Sequence, residues 1–380
     1  MGNLGPNEAL IGVRGSRAAL DTPALVLDLD LMERNIATMA AHARAVGVAL
    51  RPHAKTHKSI RIAELQVAAG ALGVCCATMG EAEIMVRARV PGVHITSPQV
   101  TPSKMARLIA LNCENHCGFS VVVDNPRNVA EIEAAARAAG KPLDVIVDFF
   151  ANHGRTGAAS EADAVALAEA LAQSGILRFR GVQAYMGSVQ HVAVRAERRA
   201  RTLDMLKRVA AIVGELEARV IKVPVVSGAG TGTFDLDPEA RVFTELQVGS
   251  YVFMDVDYNR ALREGRNELP FETSLFVQTA VVSTNAPDWV TCDAGLKSFA
   301  TEGPKPEIVS GAPAGSTYTW FGDEHGKLIL PPGAPRPEIG AKIECVTPHD
   351  DPTVNLHDFY HVVRGDTLVD IWPVDARGKR

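Results

Sequence analysis

The chain has 380 residues, 47% of them hydrophobic and 22% charged, with a formal net charge of −5. That length exceeds the usual single-domain size, and the charge balance argues against nucleic acid or an anionic membrane as partner, so small molecules are the expected ligands. The six cysteines (Cys75, Cys76, Cys113, Cys117, Cys292, Cys345) are scattered behind no secretory-type leader, and no apolar run approaches the ~20 residues of a membrane span, so a reduced, soluble, cytoplasmic protein is expected.

"TPALVLDLD" (22–30) has the length and branched-aliphatic content of a strand, and the apolar period through Leu31, Ile36, Met39, Ala40 and Ala43, stopping at Gly47, predicts a helix behind it. The alternation repeats: strand near 48–53, helix near 59–69, strand "LGVCCA", helix from Glu81, strand "GVHITS", helix near 102–112, strand "FSVVVD". It continues with a helix near 127–139, strand "LDVIVDFF", helix near 161–174, strand "FRGVQAYM", a long helix near 192–219 and strand "KVPVVSG". Eight apolar strands, all but the last trailed by a helix, predict an α/β chain with a TIM-type (β/α)8 barrel over residues 20–248. In the long helix, Leu203, Leu206, Val209, Ala210 and Val213 form an apolar face, which predicts that the cationic stretch from Arg195 to Arg208 is solvated. From 249 to 380, segments such as "ETSLFVQTAVVST", "DWVTCDAG", "KLIL", "AKIECVTP" and "TLVDIWPV" are divided by Pro, Gly and Asp, which predicts a mostly-β C-terminal domain.

In a parallel barrel the side chains that act sit at the C-terminal ends of strands. "RPHAKTHKS" (51–59) follows the second strand and offers Lys55 and Lys58, although a loop lysine is ordinarily just solvated. "NHGRTG" (152–157), "QAYMGSVQH" (183–191) and "SGAGTGT" (227–233) lie at the ends of the sixth, seventh and eighth strands. The last is a glycine-rich turn whose backbone N–H groups suit a phosphate. A lysine on one strand end and a phosphate cradle on another resemble a pyridoxal 5'-phosphate (PLP) site, with the lysine as imine former.

"DTPALVLDLD", "RPHAKTHKS", "GVCCAT", "QAYMGSVQH", "SGAGTGTF", "TELQVGSYVFMDVDY", "CDAGLKS", "DEHG" and "PHDDPTVNLHD", in that order from about residue 20 onward, resemble the D-threonine aldolase family with its 3-hydroxy-D-aspartate aldolase members, and more distantly the D-serine dehydratases. The resemblance implies an alanine racemase-like fold, a PLP-binding barrel followed by a β domain, and a homodimer. It implies Lys55 as the lysine that carries the cofactor, leaving Lys58 on the surface or supporting the loop. Arg155 would lie beside the phenolic oxygen, Tyr185 would line the pocket, and Gly230, Thr231, Gly249 and Ser250 would form the phosphate cup. Gln247 sits where the racemases carry an arginine facing the pyridine nitrogen, and neither group stabilises a protonated ring as a carboxylate would.

Help for a weak electron sink must come from elsewhere. His349 and Asp351, at i and i+2, share a face if the segment is extended, and offer nitrogen and oxygen to a divalent cation. The resemblance implies manganese, magnesium or cobalt there, and aspartate instead of the cysteine of the dehydratase branch favours a hard ion and an aldolase. The implied reaction is retro-aldol cleavage of a D-configured β-hydroxy-α-amino acid, with the metal acidifying the β-hydroxyl and His191 as candidate base. Lysine and metal are then expected to act on one bound amino acid.

Asp323, Glu324 and His325 of "DEHG" are either a polar turn or support for the metal, and "CENHC" (113–117) has no second ligand pair at zinc-site spacing. Phe149 and Phe150 stand where the family more often has acidic residues, and no role is given to His153. Cleavage of 3-hydroxy-D-aspartate, dehydration of hydroxyaspartate or D-serine, and a PLP carrier without lyase activity are the alternatives.

Overall fold

The computed structural model describes residues 4–115, 117–150, 155–264 and 266–380. It comprises two compact units, one of Met39–Lys55, Ile60–Gly249 and Gly378–Arg380, the other of Met1–Thr38, Thr56–Ser59 and Ser250–Arg377. Strand β1 (Ala24–Asp28) runs directly into helix α1 (Leu29–Val46).

In the first unit, β2 (Ala49–Leu50), β3 (Cys75–Cys76), β4 (Val93–Ile95), β5 (Phe119–Val123), β6 (Leu143–Asp148), β7 (Leu177–Ala184), β8 (Val225–Gly228) and β9 (Glu245–Leu246) pair in parallel in the order β2-β9-β8-β7-β6-β5-β4-β3. The Ala54 N–H donates to the Cys75 carbonyl and the Cys75 N–H to the Pro52 carbonyl, both at 2.8 Å, so the first and last strands meet and the barrel closes. Helices α2 (Ile60–Ala68), α3 (Met79–Arg87), α4 (Pro102–Glu114), α5 (Pro126–Ala139), α6 (Glu161–Ala172) and α7 (Arg195–Ala218) follow β2 to β7 in turn. Their starts are written locally: Thr78 and Glu81 form a capping box on α3, and Thr101 and Asn125 cap α4 and α5 just before prolines. On α7 the buried side chains include Met205, Leu206, Val209, Ile212 and Leu216, a face rotated from the expected one. Arg198 is fully buried there and bonds the Val192 and Ala193 carbonyls, contrary to the expectation of a wholly solvated cationic face. Its Nη1 reaches the carbonyls of the segment just ahead of the helix, a contact that periodicity does not register.

The second unit carries α8 (Val256–Arg263), α9 (Asp350–Val354) and strands β10 (Leu275–Ser283), β11 (Trp289–Cys292), β12 (Glu307–Ser310), β13 (Thr317–Trp320), β14 (Gly326–Ile329), β15 (Lys342–Val346), β16 (Phe359–Arg364) and β17 (Thr367–Pro373). With β1 they make a nine-stranded sheet, β13-β14-β11-β10-β1-β16-β17, with β15 also on β10 and β12 on β15. Val26 faces Phe276 across the antiparallel β1–β10 pair and His361 across the parallel β1–β16 pair. The first strand expected in the barrel therefore belongs to this sheet, and the eighth barrel strand is the two-residue β9. Leu20, Val26, Val256, Phe276, Val363 and Ile371 pack into one core here, each side chain worth roughly 1.5–3 kcal/mol on burial. Among the described residues, no helix is long and apolar enough to cross a membrane.

Candidate active site

Lys55 comes immediately after the residues that close the barrel. Its side chain is half-buried, and its N–H leans on His53 Nδ1 at 3.4 Å, while His53 Nε2 bonds Thr96 Oγ1 at 3.1 Å. The next residues, Thr56–Ser59, belong to the other unit, where the Tyr360 hydroxyl donates to the His57 carbonyl at 2.6 Å and the Ala376 N–H to the Lys58 carbonyl at 3.0 Å. Lys58 is buried at positive φ, which fits loop support and not a surface position.

Arg155 is exposed, with its guanidinium 5.5 Å from the centroid of the half-buried Tyr185 ring. Asn152, His153 and Gly154, and likewise His116 of "CENHC", lie outside the described residues. Behind β8 the chain turns through Ala229 at φ 70° into Gly230, Thr231 and Gly232. A Cβ on Gly232 would fall 2.0 Å from the Gln190 carbonyl, so that position requires glycine, whereas one on Gly230 would meet only the end of the Gln190 side chain, at 2.4 Å from Oε1. Gln190 pins the turn, accepting from the Gly232 N–H at 2.9 Å and donating to Thr233 Oγ1 at 3.1 Å. Thr233 in turn donates to Asp237 at 2.5 Å, and burial pushes that carboxyl up to about 8. The Gly232 amide is thus spent inward, whereas the Gly249 N–H donates to no described residue and suits an anion. His191, next to Gln190, is exposed.

Inside the barrel a chain of polar side chains joins the strands. Arg51 and Glu245 form a two-pronged ion pair at 2.9 and 3.0 Å, and Ser227 donates to Glu245 at 2.7 Å. Burial pushes the Glu245 carboxyl up, but the Arg51 bond and charge more than offset this, so it stays below its usual range. Gln247 donates to Ser227 Oγ at 2.7 Å and to Gln183 Oε1 at 3.1 Å. Gln183 donates to the Thr96 carbonyl at 3.1 Å and to Asp148 at 2.9 Å, and Thr156 also donates to Asp148. Burial raises Asp148 to about 6 against the bonds from Gln183 and Thr156. Asp148 is the last residue of β6, immediately ahead of Phe149 and Phe150. His94, its pKa lowered to about 4 chiefly by burial, joins through Gln183 and Ser120. None of these partners except Gln247 stood out in the sequence; the available signal was a polar residue at the end of an apolar strand.

In the other unit, ligand atoms of Asp255, His349 and Asp350 lie within 4.8 Å of one another. Asp255 caps α8 by accepting from the Tyr258 N–H at 2.7 Å, and it accepts from the Asp350 N–H at 3.1 Å. Asp350 accepts from Ser250 Oγ at 3.2 Å and from the Asp351 N–H at 2.7 Å, so the Ser250 hydroxyl is turned to a carboxylate. His349 Nδ1 bonds Glu302 at 2.8 Å, as the second nitrogen of a histidine ligand commonly does. Two carboxylates and an imidazole fit a hard divalent ion. The segment is not extended: His349 caps α9 and Asp351 lies within that helix, half-buried, so the alternation argument for a shared face does not apply. Asp323, Glu324 and His325 are exposed in a turn whose Gly322 and Asp323 carbonyls accept from the Leu296 and Lys297 N–H groups.

The alanine racemase N-terminal domain model matches residues 27–257 and a serine dehydratase domain model residues 274–363. The chain is 44% identical to a D-threonine aldolase of Arthrobacter sp, over 95% of this chain and 94% of that protein. The chain belongs to the D-threonine aldolase and 3-hydroxy-D-aspartate aldolase family. A 3-hydroxy-D-aspartate aldolase of Paracoccus denitrificans is 36% identical over 95% of this chain and 93% of its own. The crystal structure of D-threonine aldolase from Filomicrobium marinum superposes with a TM-score of 0.90 at 40% identity, covering 95% of this chain and 96% of that one. D-threo-3-hydroxyaspartate dehydratase from Delftia sp. HT23 gives 0.82 at 26% identity, covering 94% and 98%.

Proposed function

We propose that the protein is a PLP- and divalent-metal-dependent carbon–carbon lyase that cleaves D-β-hydroxy-α-amino acids, D-threonine to glycine and acetaldehyde. The observation that carries this is the 44% identity to a D-threonine aldolase over nearly the whole chain. When bound, PLP supplies an electron sink for the pair released as the Cα–Cβ bond breaks. Lys55 would hold it covalently through its side-chain amine. Arg155 and Tyr185 border it, and Gly230, Thr231, Gly249 and Ser250 receive its phosphate, with the unspent Gly249 N–H supporting that role. Gln247 would stand against its ring nitrogen.

His349 and Asp351, with Asp255 and Asp350 beside His349, hold the divalent ion, manganese, magnesium or cobalt; a hard cation lowers the pKa of an alcohol as it does that of water. His191, in an exposed turn, takes the hydroxyl proton. The unit of Met39–Lys55 and Ile60–Gly249 is proposed to hold the cofactor and the unit that contains Ser250–Arg377 the metal, in a homodimer. Among the described residues the six cysteines are free, which supports a cytoplasmic setting.

The second reading, 3-hydroxy-D-aspartate aldolase, is favoured by the 36% relatedness to the Paracoccus protein. Purified protein incubated with D-threonine, L-threonine, 3-hydroxy-D-aspartate and D-serine separates the readings by product. Acetaldehyde from D-threonine alone supports the first and glyoxylate the second. An oxo acid with ammonia means a dehydratase, and no turnover with retained cofactor means a carrier.

A further inference from the structure

The Gln247 amide has two faces, and the polar chain inside the barrel decides which one is used internally. At one end, Glu245 is an ionised acceptor held by Arg51, so the single Ser227 hydroxyl proton goes to it and Ser227 must receive a proton from Gln247. At the other end, the Thr96 carbonyl and Asp148 accept from Gln183, so Gln183 turns its oxygen toward Gln247 and toward His94. His94 is consistent with this, because a neutral ring taking the Ser120 hydroxyl proton at one nitrogen has one N–H left for Gln183. Both neighbours therefore demand N–H from Gln247, and a flipped amide would set oxygen against oxygen at Gln183 and lose the Ser227 bond. Its NH2 is fully engaged. Its Oε1 bonds no described residue.

We propose that Ser227 and Gln183 are positioning residues that fix Gln247 with its carbonyl oxygen outward, so that it presents an acceptor, not a donor, to the cofactor ring nitrogen and holds that nitrogen protonated. This rests on the reading that Gln247 lies against the ring. An arginine at this position is donor-only and leaves the nitrogen unprotonated; an outward carbonyl accepts an N–H and favours the pyridinium. The charged and titratable groups along the chain, Arg51, Glu245, His94 and Asp148, face Ser227 and Gln183 and do not bond Gln247 itself.

The test is nitrogen NMR of holoenzyme reconstituted with PLP isotopically labelled at the ring nitrogen. Wild type at neutral pH is expected to show the protonated resonance, and Gln247→Leu and Gln247→Arg the unprotonated one. A wild-type resonance that is unprotonated, yet moves in these variants, overturns the inference while leaving Gln247 at the ring. A resonance that ignores both variants removes Gln247 from the ring and overturns the reading beneath it. Ser227→Ala should lower the pH midpoint for loss of the ring proton by about one pH unit, roughly the tenfold effect of one hydrogen bond, with recovery in Ser227→Thr. An unchanged midpoint in Ser227→Ala overturns its positioning role. Should Ser227→Ala fail to fold, the comparison of wild type with the Gln247 variants still decides which face is outward.

Discussion

The Tyr360 hydroxyl donates to the His57 carbonyl at 2.6 Å, tying the segment that follows Lys55 to strand β16. Tyr360 is fully buried, and burial holds its phenol well above the ordinary range, so it acts as a donor throughout the working pH range. Tyr360→Phe keeps the ring and deletes the bond. The expected outcome is a loss of about 1 kcal/mol in stability, with weaker PLP retention, measured by urea unfolding and by cofactor titration of the apoprotein. A loss of stability with no change in PLP affinity would show that this bond does not bear on Lys55.

Lys55→Ala should leave a folded protein in which borohydride fixes no PLP, whereas wild type is reduced to a stable, covalently labelled chain. Mass spectrometry of the digested protein locates the label. Labelling at Lys58 instead would reassign the cofactor lysine.

Chelation is expected to abolish cleavage of D-threonine while the absorbance of bound PLP persists, because the cation and the cofactor are assigned to different residues. Asp255→Asn and His349→Ala should each weaken cation binding, by roughly 10-fold or more, in titration calorimetry with manganese. Full activity after thorough chelation removes the metal from the reaction.

Asp237 sets a pH dependence of stability. Its folded-state pKa is about 8, raised by burial and by the Asp235 charge against the Thr233 bond, compared with an ordinary value of 3.8. The folded state therefore binds a proton that the unfolded chain has released. This site's contribution is complete below about pH 4, falls by up to ~1.4 kcal/mol per pH unit, and is lost by about pH 8. Denaturant unfolding at a series of pH values should show a flatter profile in Asp237→Asn than in wild type.

Much of the barrel was legible because its strands are apolar runs separated by capped helices, and capping residues such as Thr78, Thr101 and Asn125 act locally. The error at Ala24–Asp28 has a physical origin: an apolar strand leading into a helix reads alike whether its neighbours are barrel strands or β10 and β16. The real eighth strand, Glu245–Leu246, is too short to stand out. Lys55 and the glycine turn stand out in the sequence because each motif is contained within a few residues. Gln183, Gln247, Ser227 and Glu245 are brought together only by strand order, and Asp255 reaches Asp350 across almost a hundred intervening positions.

The seam between His53 and Cys75 lies just upstream of Lys55, so the proposed cofactor lysine sits at the joint where the cylinder is finished. With Lys55 as the proposed cofactor lysine, yellow colour is expected to develop no earlier than the joint seals. Stopped-flow refolding in the presence of PLP, tracking colour beside far-ultraviolet dichroism, should show coloration lagging helix formation, a chromophore serving as a stopwatch for completion of the fold.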